Sequence, residues 1–179
     1  VSRMTSRALR DLTGRKNDKQ AWDALFRSFN QDRKLGNSGY RRGEKIAIKV
    51  NCNQDRSAEW GAPPPPRPGR SGPARGPLNG LPSPQLILAL VEQLIGAGVP
   101  GEDILLYEVA VGRNIGMPIF GRIRARSGRE FQNVRFLVNN DYGLGGRLKP
   151  VPDMANPIQF ATKALPAAYL PEQVTEAKY

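Results

Sequence analysis

Histidine is absent from this 179-residue chain, and cysteine occurs once, at Cys52. These two shortages remove whole classes of chemistry. An internal disulfide is impossible, and zinc centres built from cysteine and histidine are excluded. So are a Ser-His-Asp triad and imidazole general-base catalysis. A metal would need oxygen ligands, and an acid–base group would have to be carboxylate, lysine or tyrosine. No metal-ligand set can be assigned, and Cys52, with no histidine to activate it, reads as a small apolar packing group rather than a nucleophile. No apolar run approaches the roughly 20 residues of a membrane span. The opening stretch VSRMTSRALRDLTGRKNDKQ lacks the apolar centre of a secretory signal, and its first residue, Val1, reads as processing or a partial chain.

Acidic residues are also scarce: 16 Asp and Glu stand against 27 Lys and Arg, a net charge of +11. Such an excess makes polyanions, nucleic acid included, plausible partners, but it bears on association and solubility rather than on fold. Against nucleic acid, the aromatics recur at core-facing positions and no groove-reading or base-stacking motif is present. The charge is uneven, with eleven basic residues against four acidic ones in residues 1–43. Residues 1–19 accordingly read as a loose basic segment, and residues 20–179 as a partial α/β domain.

Residues 20–34, QAWDALFRSFNQDRK, repeat Trp22, Leu25, Phe26 and Phe29 at helical spacing, which predicts a helix with a core-facing stripe. Residues 61–77, GAPPPPRPGRSGPARGP, hold nothing that can pack and read as a polyproline II or disordered insert. A Pro65-x-x-Pro68-x-Arg70 spacing inside it matches SH3-type ligands, but such spacing arises freely in a proline-arginine tract.

Order resumes at Ser83-Pro84, a natural cap followed by proline at the first helical position. Leu86, Ile87, Leu90, Val91, Leu94 and Ile95 then form a stripe that Gly98 closes. Strands are predicted over 44–51 (EKIAIKVN), 103–110 (DILLYEVA, ending near Glu108) and 134–141 (VRFLVNND), with a further helix over 115–127. The order β-α-β-α-β predicts an α/β fold, a Rossmann-like, mostly parallel and incomplete sheet with right-handed crossovers. Beyond Gly146 the chain reads as a proline-rich loop. Gly143-Leu144-Gly145-Gly146 follows a strand but does not open a helix, so it reads as a turn rather than a phosphate loop.

Parallel strands end on one rim, where open α/β sheets bind ligands. That rim would gather Lys49, Asn51, Asn53 and Asp55 from the first strand, Glu108 from the second, and Asn139, Asn140 and Asp141 from the third. These residues suit a hard cation, a polyol, a carboxylate or a phosphate held beside Lys49, though Asn and Asp also simply start turns. Lys49 is the sharpest candidate, as a base or electrophile if desolvated and as a snorkelling strand-end lysine if not.

The segments GEKIAIKVNCNQD, LPSPQLILALVEQLIGAG, EDILLYEVA, FQNVRFLVNND, VPDMANP and YLPEQVTEAKY together resemble the bacterial and archaeal family catalogued as domain of unknown function 362. The resemblance implies an α/β fold, frequent export, and in some members a neighbouring ferredoxin-like iron–sulfur partner. It supplies no settled activity, no cofactor and no catalytic residues. Similar proteins join the Asn-Gln-Asp segment to the Ser-Pro helix without a proline-arginine tract, so residues 61–77 are expected to be an insertion or a sequence error. They also continue past the equivalent of VTEAKY, so this chain is expected to be the N-terminal portion of a longer protein. The reading carried forward is an α/β ligand-binding domain, part of an enzyme or redox-associated protein, with a basic nucleic-acid-binding protein as the alternative.

Overall fold

The computed structural model describes residues 1–52, 82–110, 114–139, 143, 146–159 and 168–179. The proline-arginine tract therefore lies outside the described residues. Three strands, β1 (Ile46–Lys49), β2 (Ile104–Glu108) and β3 (Arg135–Val138), form a parallel sheet in the order β1-β2-β3. Lys49 pairs with Tyr107, and Glu108 with Val138, so all three carboxyl ends reach the same rim. The fold is α/β, as the strand and helix order predicted.

The strands differ in sequence because they differ in position. Central β2 is covered on both faces, and Ile104, Leu105 and Leu106 are all sealed from solvent. This is why it reads as a continuous apolar run. Strand β1 lies at an edge and alternates: Ile46 is buried, Ile48 half-buried and Lys49 exposed.

Helix α3 (Pro84–Ala97) returns the chain from β1 to β2. Ser83 accepts the Leu86 N–H, Pro84 opens the first turn, and Gly98 ends the helix in the left-handed region at φ 102°, as the sequence required. Its buried face is rotated from the expected stripe. Leu86 is 41% exposed, while Ala89 and Gln93 are buried beside Ile87, Val91 and Leu94. Packing explains the rotation, because α3 touches two N-terminal helices as well as the helix that follows β2 at Met117–Arg124.

The N-terminal segment is not loose. Helix α1 (Ser2–Thr13) is followed by α2 (Asp18–Asp32), which Asn17 caps by accepting the Gln20 N–H at 3.0 Å. Met4 and Leu12 are each 75% exposed and Ala8 is exposed with them, so the apolar line of α1 faces solvent rather than the sheet. The helix docks through buried Leu9 and through Ser6, which donates to Asp18 and accepts from Gln93 on α3.

The helix expected over 115–127 is shorter and followed by a second: α4 (Met117–Arg124) and α5 (Arg129–Asn133), separated by a turn at Gly128. Gly101 lies so close to α5 that a Cβ there would collide with the Glu130 carbonyl. Beyond Gly146 the chain is not only loop. Leu148 bridges β3 in parallel, α6 spans Glu172–Thr175, and Tyr179 returns to β1. The Tyr179 N–H donates to the Lys45 carbonyl at 3.2 Å and its carbonyl accepts the Ala47 N–H at 2.8 Å, a parallel pairing at β1's outer edge. The ring rests against Phe26 and Phe29, and the hydroxyl donates to Glu44 and accepts from Asn30. The outer edge of β1 is thus partly occupied.

The observed face of α3 yields a direct test by urea unfolding. Leu94→Ala should cost about 2–5 kcal/mol, as for a buried leucine in a close-packed core. Leu86→Ala, which the sequence stripe would treat alike, should cost under about 1 kcal/mol.

Candidate functional site

Strand β1 delivers Lys49 to the carboxyl rim, and β2 delivers Glu108 beside it. The glutamate side chain is only 1% exposed, whereas the lysine is 45% exposed, and Nζ meets Oε1 at 2.9 Å. The carboxylate is satisfied on both oxygens. Oε1 also accepts the Ala110 N–H at 3.1 Å, and Oε2 accepts the Cys52 N–H at 2.9 Å. Burial pushes the Glu108 carboxyl up, but the Lys49 ammonium and these two backbone donors outweigh it and hold the group below the ordinary glutamate value. Glu108 is therefore an anion that ties together the exits of both strands.

A carboxylate so engaged is a poor proton acceptor for a substrate. Lys49, in contrast, keeps donor capacity after Glu108. Its only other oxygen contact among the described residues is a long one, 3.4 Å to the Val50 carbonyl. Nζ also lies 5.8 Å from the centre of the Tyr107 ring. Burial, and then the Glu108 charge, push the Tyr107 hydroxyl upward, so it stays protonated. The desolvated lysine that a base or electrophile would require is not what the fold supplies. A fixed, outward-facing ammonium is.

The other rim candidates divide into three groups. Asn51 is exposed, two residues after Lys49 in the chain. Asn139 is half-buried and donates to the Val109 carbonyl at 3.3 Å, which braces the loop leaving β2. Asn53, Asp55, Asn140 and Asp141 lie outside the described residues. Cys52 is fully buried, in accord with packing rather than nucleophilic attack. Among the described residues no cluster of three or more Asp, Glu or Cys could hold a metal ion, and no helix is long and apolar enough to cross a membrane.

Sequence reading missed a second buried carboxylate at the opposite end of the same two strands. Asp103 accepts from the Tyr40 hydroxyl at 2.5 Å, from the Gly43 N–H at 2.8 Å and from the Lys45 ammonium. Burial raises this carboxyl, but Lys45 and Tyr40 outweigh it and hold it below the ordinary aspartate value. Burial and the adjacent carboxylate drive the Tyr40 phenol far above the usual tyrosine range. With three donors engaged, the group serves as a clasp. The available signal was an aspartate directly before an apolar strand.

Both carboxylates titrate low in the folded state, so their contribution to stability is present above the ordinary carboxylate range and disappears as pH falls through the depressed folded values. Lys49→Met should bring Glu108 back toward its ordinary value. Acid unfolding followed by circular dichroism should then begin at higher pH than in the wild type. At neutral pH the loss should be about 1–2 kcal/mol, between that of an exposed and a buried pair. An unchanged acid midpoint would remove Lys49 from the support of Glu108.

Compared with protein-family models, with curated proteins and with solved structures, the chain gave no match to any of the three.

Proposed function

We propose that this chain is an α/β ligand-binding domain whose carboxyl-end rim holds a small anionic ligand, phosphate or carboxylate, on Lys49. One observation carries the reading: a fully satisfied buried carboxylate fixes an ammonium that still faces solvent. The rim position supports it, because open parallel sheets bind ligands outside the carboxyl ends of their strands. Asn51, exposed two residues further along the chain, is a neutral hydrogen-bonding group on the same strand exit. The resemblance of six segments to domain of unknown function 362 supports placing this rim within a larger enzyme or iron–sulfur-associated redox protein. In that reading Lys49 binds and orients the ligand, Glu108 positions Lys49, and the reacting group comes from elsewhere.

The test is a titration of ¹⁵N-labelled protein with inorganic phosphate. Shifts should concentrate in residues 49–52 and 108–110. Lys49→Ala should weaken binding by about tenfold or more, the value of one charge-assisted hydrogen bond. Loss of affinity with added salt should be shallow, as for a single cation. A steep salt dependence with equal binding of any polyanion would replace this reading with the nucleic-acid-type electrostatics of a +11 chain. Phosphate binding that survives Lys49→Ala unchanged would overturn it.

A further inference from the structure

Helix α1 is docked with its polar side inward. Leu9 is its one buried side chain, and the half-buried positions around it are Thr5, Ser6, Arg10 and Thr13. Ser6 meets Asp18 and Gln93, and Arg10 Nε lies 3.7 Å from Asp18. The apolar line Met4, Ala8 and Leu12 is left outside. Met4 and Leu12 are the most exposed large apolar side chains among the described residues. Spaced four residues apart, the three form one ridge along the helix, about 12 Å from end to end.

The neighbouring ridge is charged. Arg3, Arg7 and Asp11 each precede a member of the apolar line by one residue, and all are exposed. Arg7 Nε reaches Asp11 at 3.5 Å, with 82% and 71% of the two side chains exposed. So solvated a pair contributes little within one copy, and both groups keep capacity for a partner. Single exposed apolar side chains are ordinary on a protein surface, whereas an aligned row with a polar margin marks an interaction site.

The order of the charges selects the partner. When a second α1 runs antiparallel to the first about a two-fold axis at Ala8, residues after Ala8 in one copy face residues equally far before it in the other. Met4 then packs on Leu12, and the alanines at the axis let the helices approach closely. Asp11, three residues past the axis, comes level with the gap between Arg3 and Arg7 of the second copy. Each carboxylate thus faces two guanidinium groups across the contact. A parallel pair would instead set Asp11 on Asp11 and Arg7 on Arg7. An anionic lipid surface fits less well, because Asp11 lies in the exposed ridge and shares the sign of the headgroups.

We propose that the exposed face of α1 is a self-complementary interface through which two copies of this chain associate, α1 against α1, antiparallel about Ala8. One short helix per copy buries less than the roughly 800 Å² per partner of a standard interface. Two chains of net charge +11 also repel each other. Association is therefore weak and reversible, with a dissociation constant on the order of 0.1 mM.

The experiment is sedimentation velocity of the full chain from about 0.01 to about 1 mM, in salt that shortens the Debye length to about 8 Å and so confines the net repulsion. The wild type should move from monomer toward dimer across this range. Leu12→Asp should raise the dissociation constant about tenfold or more, and the exposed position should leave the thermal midpoint of the dilute protein unchanged. Asp11→Arg should weaken association in the same way. Combining it with Arg3→Asp and Arg7→Asp inverts the charged ridge but keeps its complementarity, and should restore the dimer. Orientation is read by oxidative cross-linking, since the native Cys52 is buried. Ala8→Cys should link to itself. Met4→Cys should link to Leu12→Cys but not to itself, its own copy lying about 12 Å away along the pair. A wild type that stays monomeric at about 1 mM would overturn the proposal, as would a dimer that survives Leu12→Asp or a Met4→Cys self-link faster than the mixed one. A monomer that cosediments with phosphatidylserine vesicles would replace the second copy with a lipid surface.

Discussion

Two buried carboxylates bracket the central strand, and the rest of the sheet is organised around keeping both of them paired. Asp103 precedes β2 and Glu108 ends it, while Lys45 precedes β1 and Lys49 ends it. The parallel register that sets Ile46 against Ile104 brings both lysines onto both acids at once. A slip of one residue would strand two charges in a low-dielectric interior and turn the apolar side chains of β1 to the wrong face. Pairs of this kind add little net stability compared with apolar packing of the same volume. Their effect is to make one register far better than its neighbours.

The two ends use the same chemistry for different purposes because their surroundings differ. At the amino end Asp103 collects a phenol, a backbone N–H and an ammonium that the Glu102 carbonyl also holds. At the carboxyl end the backbone supplies two donors and the lysine completes the set while remaining half exposed. The first arrangement closes a fold. The second presents a cation at a fixed place, which is what a binding site requires and a mere turn does not.

Positive charge is treated in a third way around α4 and β3. There the guanidinium of Arg124 gathers the carbonyls that end α5 and precede β3, so an arginine stands where a helix end would otherwise leave acceptors unmet. Aromatic faces beneath it offset part of the desolvation. The high net charge of the chain is therefore not only a diffuse surface property. Part of it is built into the supports of the sheet.

Local signals in the sequence determined the elements themselves. Ser83, Pro84 and Gly98 dictated α3 because capping and left-handed termination act within a few residues, and the apolar runs dictated the three strands and their parallel class. Lys49 and Glu108 were legible as rim residues, since a strand's last residue is fixed once the strand is. The docking of helix α1 was not legible, because Ser6 holds it through Asp18 and Gln93, partners many positions away. The same holds for the burial of Asp103 and the return of Tyr179 to β1. What the sequence decided rests on interactions of short range along the chain. What the tertiary structure decided rests on which distant groups come close enough to share charge, and no spacing within a segment encodes that.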